Sequence, residues 1–143
     1  MEKLRAGIVG ATGMVGQRFI TLLENHPYFE ISALIAGPRS AGKTYSQAVE
    51  GRWKMSTPIP VCVKNVTVIS SEDIETVGKL CDFVFCAVNM TKDETRALEE
   101  RYAKAEIPVV SNNSANRWTP DVPMVIPEIN DAHLDVIKSQ RER

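Results

Sequence analysis

Three glycines, Gly10, Gly13 and Gly16, lie at a spacing of three residues between an apolar run and a segment with helical periodicity. Between a strand and a helix, such glycines could form a dinucleotide-binding turn. Gly10 would make the tight turn, Gly13 would let the backbone approach a pyrophosphate, and Gly16 would let the helix pack closely on the sheet. The spacing differs from the commoner Gly-x-Gly-x-x-Gly, so a glycine-rich turn without a ligand is the alternative. We favour a nucleotide, whose phosphates the N–H groups at the start of the helix would bind.

The end of the second apolar run bears on which dinucleotide would bind. A site for NAD usually has an aspartate or glutamate about 20 residues after the glycines, which binds the ribose 2′-hydroxyl. Residues 35–43 contain no acidic residue, and they include Arg39, Ser40 and Lys43. A guanidinium suits a 2′-phosphate, the serine can donate a hydrogen bond, and the lysine adds positive charge. Arg39 alone could be a solvated loop cation, but with the acid absent the loop predicts NADP as the cofactor.

Apolar runs and helical periodicity alternate along the chain and define the elements that would position these residues. The apolar runs predict strands at residues 4–9, 31–36, 66–69, 83–88, 108–110 and 124–126, with 83–88 buried on both faces. Helical spacing predicts a helix at residues 14–25, a short helix through Ile74 and Val77, and a last helix that begins at Asn130 or Asp131. A further helix is predicted from a capping box at Thr91 to about Ala105, with Leu98 and Tyr102 buried. The alternation implies right-handed βαβ crossovers and an α/β fold with a doubly wound, mostly parallel sheet of the Rossmann type.

Two stretches, residues 37–60 and 111–123, fit neither pattern and are predicted to be functional loops. The last residues, 139–143, still follow a helical pattern, and we therefore expect a truncation point there.

The composition is that of a globular domain, with 43% hydrophobic residues, 24% charged residues and a net charge of -1. Such a charge offers no general attraction for nucleic acid or an anionic membrane. No apolar run has the length of a transmembrane helix, and the first residues do not resemble a signal peptide. We therefore expect a cytoplasmic domain that binds neither nucleic acid nor a membrane.

The three cysteines, Cys62, Cys81 and Cys86, do not form a disulfide framework. Cys81 and Cys86 lie in or beside the run 83–88 and are predicted to be buried, where cysteine acts as a small hydrophobic residue. Cys62 lies in an irregular stretch with no sign of thiolate stabilisation. No catalytic residue is therefore predicted within the chain.

The histidines and tryptophans also favour structural roles. His26 is predicted at a helix end and His133 in the exposed first turn of the last helix, without the spacing that a metal site requires. Trp53 and Trp118, each in a loop, are predicted to cover core or interface surface. The sequence thus predicts no metal site.

The segments GIVGATGMVGQRF at residues 7–19 and PRSAGK at 38–43 resemble aspartate-semialdehyde dehydrogenases, particularly those of the archaeal and fungal branch. The segments SNNSANR at 111–117 and DVPMVIPEIN at 121–130 extend the resemblance over essentially the whole chain. It implies an NADP-dependent reductive dephosphorylation of β-aspartyl phosphate to aspartate semialdehyde and phosphate, through a cysteine thioester. This reaction belongs to the biosynthesis of lysine, threonine and methionine.

Roles for individual residues follow from the resemblance. It places Thr12, Gly13, Met14 and Val15 at the pyrophosphate and Arg39 with Ser40 at the 2′-phosphate. It also places Arg117 at the phosphate of the substrate or product, with Asn112 and Ser114 as polar neighbours.

In the family, the nucleophilic cysteine and a histidine follow the position of Arg143. Residues 1–143 are therefore predicted to be the NADP-binding domain of an enzyme whose catalytic and dimerisation domain lies outside this chain. We expect the chain alone to be inactive and the full-length enzyme to be a homo-oligomer that acts on a small-molecule substrate. The alternatives are a malonyl- or succinyl-coenzyme A reductase of the same family and a stand-alone nucleotide-binding subunit without catalysis. An N-acetyl-glutamyl-phosphate reductase fits the loop at 38–43 less well.

Overall fold

A computed structural model describes residues 2–142, which divide between Asn112 and Asn113 into two compact units. The first unit contains five strands: β1 (Leu4–Val9), β2 (Phe29–Ala36), β3 (Ile69–Ser70), β4 (Phe83–Cys86) and β5 (Val109–Ser111). It also contains five helices: α1 (Met14–Leu23), α2 (Tyr45–Ala48), α3 (Val61–Lys64), α4 (Ile74–Leu80) and α5 (Lys92–Lys104). The second unit contains α6 (Pro127–Asn130), a 3-10 helix (Asp131–Val136) and α7 (Ile137–Glu142).

The five strands form one sheet in the order β3-β2-β1-β4-β5, and each neighbouring pair is parallel. This confirms the prediction of an α/β fold of the Rossmann type with a mostly parallel sheet. From β1 the chain moves to β2 and β3 on one side, and then crosses to β4 and β5 on the other. The carboxyl ends of β1 and β4 therefore flank the point where the strand order reverses, which is where ligands bind in open α/β sheets.

Hydrophobic side chains cover both faces of the sheet. On one face, Ile8 and Leu34 pack with α1 through Ile20 and with the buried Tyr45 of α2. On the other face the cluster combines strand residues with α4 and α5, and it includes Val9, Ile35, Val84, Val77, Leu98 and Tyr102. Because neighbouring residues of β1 and β2 join opposite clusters, the strands alternate with a period of two. The burial predicted for Leu98 and Tyr102 is confirmed.

The predicted capping box at the start of α5 is confirmed by its geometry. Thr91 Oγ1 accepts a hydrogen bond from the N–H of Glu94, at 3.3 Å, and the Glu94 carboxylate accepts one from the N–H of Thr91, at 3.1 Å. The pair satisfies two N–H groups that a helix start leaves without intrahelical partners.

The prediction of a strand at residues 124–126 is wrong. The N–H of Met124 donates to His133 Nδ1 at 3.2 Å, and the N–H of Ile126 donates to Asn130 Oδ1 at 2.7 Å. Asn130 also donates to the Met124 carbonyl at 2.9 Å. These backbone groups are therefore paired with local side chains instead of a neighbouring strand, a competition that asparagine side chains often win. The helical segment begins earlier than predicted, with Pro127 at its first turn.

Other elements also differ from the prediction, most of them by one to three residues at an end. Strand β3 lies at Ile69–Ser70, and Thr67 forms an isolated antiparallel bridge with Thr44. Strand β4 ends at Cys86, and its residues alternate between half-buried and buried. Within the loop 37–60, the short helix α2 was not predicted, although Thr44 and Gln47 form a capping box that signals it.

No helix within residues 2–142 has the length and apolar character to cross a membrane. The same residues contain no group of three or more histidine, cysteine, aspartate or glutamate side chains arranged to hold a metal ion.

Candidate nucleotide-binding site

The glycine turn lies at the carboxyl end of β1, and two of its glycines are required by the fold itself. Gly10 has φ +85°, and a Cβ there would overlap the carbonyl oxygen of Ala87 and lie 2.7 Å from its carbonyl carbon. A Cβ on Gly16 would overlap the carbonyl oxygen of Gly10 and lie 2.9 Å from the Cα of Ala11. These positions support the predicted roles of Gly10 in the tight turn and of Gly16 in close helix packing.

Gly13 differs, because neither its backbone angles nor its internal contacts require a glycine. Its φ is -78°, and the residue is exposed. A Cβ added to Gly13 would have the Gly10 carbonyl oxygen as its nearest neighbour, at 3.6 Å. It is the N-cap of α1, yet no side chain caps this helix and its first turn has no acidic residue. Helices α4 and α5, by contrast, have capping side chains and acidic first turns. The exposed start of α1 thus has a partial positive charge that neither a capping side chain nor an acidic residue of its first turn offsets, an arrangement that suits an anion.

Two buried side chains that the sequence analysis did not single out hold the glycine turn from the protein side. Tyr45 donates through its hydroxyl to the Ala11 carbonyl at 2.7 Å, and burial raises the pKa of this tyrosine. Gln17 donates through Nε2 to the Thr12 carbonyl at 3.0 Å. Gln17 lies close to the turn in sequence, whereas Tyr45 is 34 residues from Ala11, so only the folded chain reveals the tyrosine contact.

The loop after β2 folds into a compact turn that presents its cations to solvent. The N–H groups of Ser40 and Ala41 both donate to the carbonyl of Gly37, at 3.1 and 3.2 Å. Arg39 and Lys43 are exposed, whereas Ser40 is only 6% exposed. Within residues 2–142, no carboxylate forms an ion pair with Arg39 or Lys43. Two exposed cations at the end of β2, neither paired with a carboxylate of the described residues, have the charge that recognition of a phosphate group requires.

The loop between β4 and α5 also borders the glycine turn, a role that the sequence analysis missed. The N–H of Ala87 donates to the Val9 carbonyl at 2.9 Å, which extends the pairing of β1 and β4 to the turn. Asn89 and Met90 follow in exposed positions before the capped start of α5. The carboxyl end of β4 thus lies beside the glycine turn at the strand-order reversal, the place where ligands bind in open α/β sheets.

The residues predicted for a substrate phosphate fall in both units. Asn112 follows β5, and its N–H donates to the Cys86 carbonyl at 2.9 Å. Ser114 and Arg117 lie in the second unit, where the N–H of Arg117 donates to the Ser114 carbonyl at 3.3 Å and both residues are exposed. Ser114 and Arg117 are thus neighbours in one turn, and their role at a phosphate stays a prediction.

The burial predicted for Cys81 and Cys86 is confirmed. Cys62, which was expected in an irregular stretch, lies instead in the short helix α3 and is exposed. Burial raises the pKa of the Cys81 thiol, and the Ser32 hydroxyl donates to its sulfur at 3.4 Å. A buried thiol with a raised pKa is a poor nucleophile.

Thiol labelling should therefore distinguish the three cysteines. In the native chain we expect an alkylating reagent such as iodoacetamide to modify Cys62 alone, and in denaturant all three cysteines should react. Mass spectrometry of the labelled peptides measures this. Rapid native modification of Cys81 would contradict the structural role assigned to it.

The two histidines and one of the two tryptophans lie where the sequence predicts them. His26 lies just after α1, and its Nδ1 accepts from the N–H groups of Tyr28 and Phe29, each at 3.2 Å. His133 is exposed, within the 3-10 helix. Trp53 packs against the core beside Tyr45, as predicted. Trp118 is 88% exposed, so it covers no core of its own unit.

Comparison with known proteins agrees with this geometry. Residues 5–137 match the family model described as semialdehyde dehydrogenase, NAD binding domain. The chain is 43% identical over 140 residues to the aspartate-semialdehyde dehydrogenase of Methanothermobacter thermautotrophicus, and 43% identical over 132 residues to that of Saccharomyces cerevisiae. It covers 38% and 34% of their lengths, so it spans little more than a third of these relatives.

Solved structures give the same result. A crystal structure of aspartate semialdehyde dehydrogenase with NADP from Candida albicans superposes with a TM-score of 0.87 at 39% identity, over 99% of this chain and 38% of that one. The Vibrio cholerae aspartate semialdehyde dehydrogenase II has a TM-score of 0.71 at 24% identity, which supports the fold. The chain therefore belongs to the semialdehyde dehydrogenase family, as its motifs indicated, and contains the NAD-binding domain of that family.

Proposed function

We propose that this chain is the NADP-binding part of an aspartate-semialdehyde dehydrogenase. The full-length enzyme would reduce β-aspartyl phosphate to aspartate semialdehyde and phosphate, in the cytoplasmic pathway to lysine, threonine and methionine. The observation that carries the proposal is the uncapped start of α1 beside the exposed Gly13, at the strand-order reversal of a chain from this family.

The residues fit the cofactor at both of its charged ends. The N–H groups of Met14 and Val15 begin α1 and suit the pyrophosphate, with Thr12 and Gly13 preceding them. Arg39 and Lys43 suit a 2′-phosphate, and no carboxylate pairs with either among residues 2–142. When bound, NADPH supplies the hydride for the reduction.

In this proposal the described residues bind and orient, and the covalent chemistry takes place elsewhere. Cys81 and Cys86 are buried and cannot serve as the thioester nucleophile. Residues 1–143 would form the cofactor domain, with the catalytic and dimerisation domain of the homo-oligomer outside this chain. Arg117, with Ser114 in the same turn, would hold the phosphate of the substrate, since a guanidinium forms paired hydrogen bonds to phosphate oxygens.

A parallel titration of the 143-residue chain with NADPH and NADH tests the proposal. We expect NADPH to bind more tightly, and Arg39→Glu to weaken NADPH binding roughly 100-fold by replacing an attractive charge with a repulsive one. NADH, which lacks the 2′-phosphate, should lose much less. Isothermal titration calorimetry measures both dissociation constants.

Arg141→Glu is the control, because it makes the same charge change at an exposed position of α7 in the second unit. It should leave both dissociation constants unchanged. Equal losses for NADPH and NADH on Arg39→Glu would show that Arg39 does not recognise the 2′-phosphate. A folded chain that binds neither nucleotide would contradict the proposal.

A further inference from the structure

We infer that Gln17 is a positioning residue that links the nucleotide-binding turn to the segment 51–54. This inference rests on the proposed function, because it concerns how the same site is kept in its binding geometry. Gln17 does not belong to the glycine motif, and its contacts to residues 52 and 54 cannot be derived from the motif's spacing.

The side chain of Gln17 is only 1% exposed, and each of its hydrogen bonds goes to the backbone. Its Nε2 donates to the carbonyls of Thr12 and Arg52, both at 3.0 Å. Its Oε1 accepts from the N–H of Lys54 at 2.8 Å. A carboxamide can make at most four such bonds, so this one is largely saturated by two separate segments.

The position of Gln17 on α1 places its carboxamide against the buried side of the glycine turn. Its own N–H donates to the Gly13 carbonyl at 2.9 Å, so the residue lies one turn into the helix whose start faces solvent. The carboxamide therefore holds the turn from the buried side, while Gly13 remains exposed on the other. Gln17 cannot touch the nucleotide in this arrangement, and it acts on the binding geometry only through Thr12.

The segment 51–54 has its own local order. Gly51 has φ +70°, and the N–H of Arg52 donates to the Val49 carbonyl at 2.8 Å. One rigid carboxamide thus joins a turn after α2 to the turn before α1. A change in either turn must break or strain the bonds of Gln17, because buried polar groups that lose a partner are costly. If nucleotide binding rigidifies the glycine turn, it must therefore also stabilise the bonds to residues 52 and 54.

The test uses the 143-residue chain and two readouts, the dissociation constant of NADPH and the backbone amide of Lys54. In the wild-type chain, we expect NADPH to shift the Lys54 amide resonance and to slow its hydrogen exchange. Gln17→Met, which keeps the length and removes the polar atoms, should bind NADPH roughly tenfold more weakly. In that variant the Lys54 amide should no longer respond to the nucleotide.

Gln140→Met is the control. Gln140 is half-buried on α7 in the second unit, and its Nε2 donates to the Asp121 carbonyl at 3.1 Å, so the same substitution removes a bond from a carboxamide to the backbone outside the glycine turn and outside segment 51–54. Its NADPH affinity and its Lys54 response should equal those of the wild type.

The outcomes separate this inference from the proposed function. Wild-type affinity in folded Gln17→Met, or a wild-type Lys54 amide that ignores NADPH, would overturn the inference alone. The response of the wild-type Lys54 amide to NADPH tests the inference even if Gln17→Met does not fold. Failure of the folded wild-type chain to bind NADPH would overturn the proposed function and this inference with it.

Discussion

Replacing Gly10 by alanine is expected to lower the free energy of unfolding by at least about 3 kcal/mol. Two independent costs combine at this position. A φ of +85° is unfavourable for a residue with a Cβ, and that Cβ would overlap the Ala87 carbonyl oxygen. The obstacle is backbone at the end of β4, so it cannot rotate away as a side chain could. Urea denaturation followed by circular dichroism measures the loss, which is a large share of the stability of a small domain.

Gly42→Ala separates the two costs. Gly42 has the same φ of +85°, but no heavy atom lies within 4 Å of an added Cβ. This variant should lose only about 1 to 2 kcal/mol, the cost of the backbone conformation alone. Equal losses in the two variants would show that the contact with Ala87 contributes nothing, and that the close approach of β1 and β4 is not what requires glycine at position 10.

Much of the fold could be predicted from the sequence because local patterns have local structural causes. A glycine turn directly after an apolar run, followed by helical spacing, has few structural solutions, and β1 and α1 were located almost to the residue. The capping box at Thr91 is likewise a local pattern with a local cause. Parallel pairing then follows from the crossovers that connect such elements.

Prediction was weaker where polar side chains form hydrogen bonds with backbone groups that a strand would otherwise use. Residues 124–126 are apolar enough for a strand, but Asn130 and His133 take their backbone groups. Periodicity carries no information about such side-chain competition.

The candidate site divides in the same way. The types and spacing of Gly10 and Gly16 indicated their places in the turn and in helix packing, because each place requires the absence of a side chain. The role of Gly13 at a pyrophosphate stays a prediction. Gln17 and Tyr45 were not singled out, because their contacts with the turn and with residues 52 and 54 depend on the folded chain. A buried glutamine has no distinctive sequence signature, so its role emerges only from its partners.

Gly13→Asp is expected to have opposite effects on stability and on binding. Aspartate is a favourable N-cap, and its charge would interact favourably with the start of α1, which has no side-chain cap and no acid in its first turn. The backbone at Gly13, with φ -78° and ψ 167°, suits a capping residue, and an added Cβ meets nothing closer than 3.6 Å. We therefore expect the free energy of unfolding to rise by about 1 kcal/mol. NADPH binding should weaken roughly 100-fold or more, because the carboxylate would occupy the N–H groups and repel the pyrophosphate.

Gly13→Asn distinguishes charge from capping. Asparagine caps a helix about as well as aspartate, but it is neutral, so it should stabilise the chain and weaken NADPH binding less than aspartate does. Urea denaturation of the free chain and calorimetric titration with NADPH measure the two effects separately. If Gly13→Asp bound NADPH with wild-type affinity, the pyrophosphate could not lie at the start of α1. Gly13→Asp could also bind NADPH poorly without being more stable than the wild type. The lack of a capping side chain would then cost the free chain no stability, and anion binding would not be needed to explain why position 13 has no capping residue.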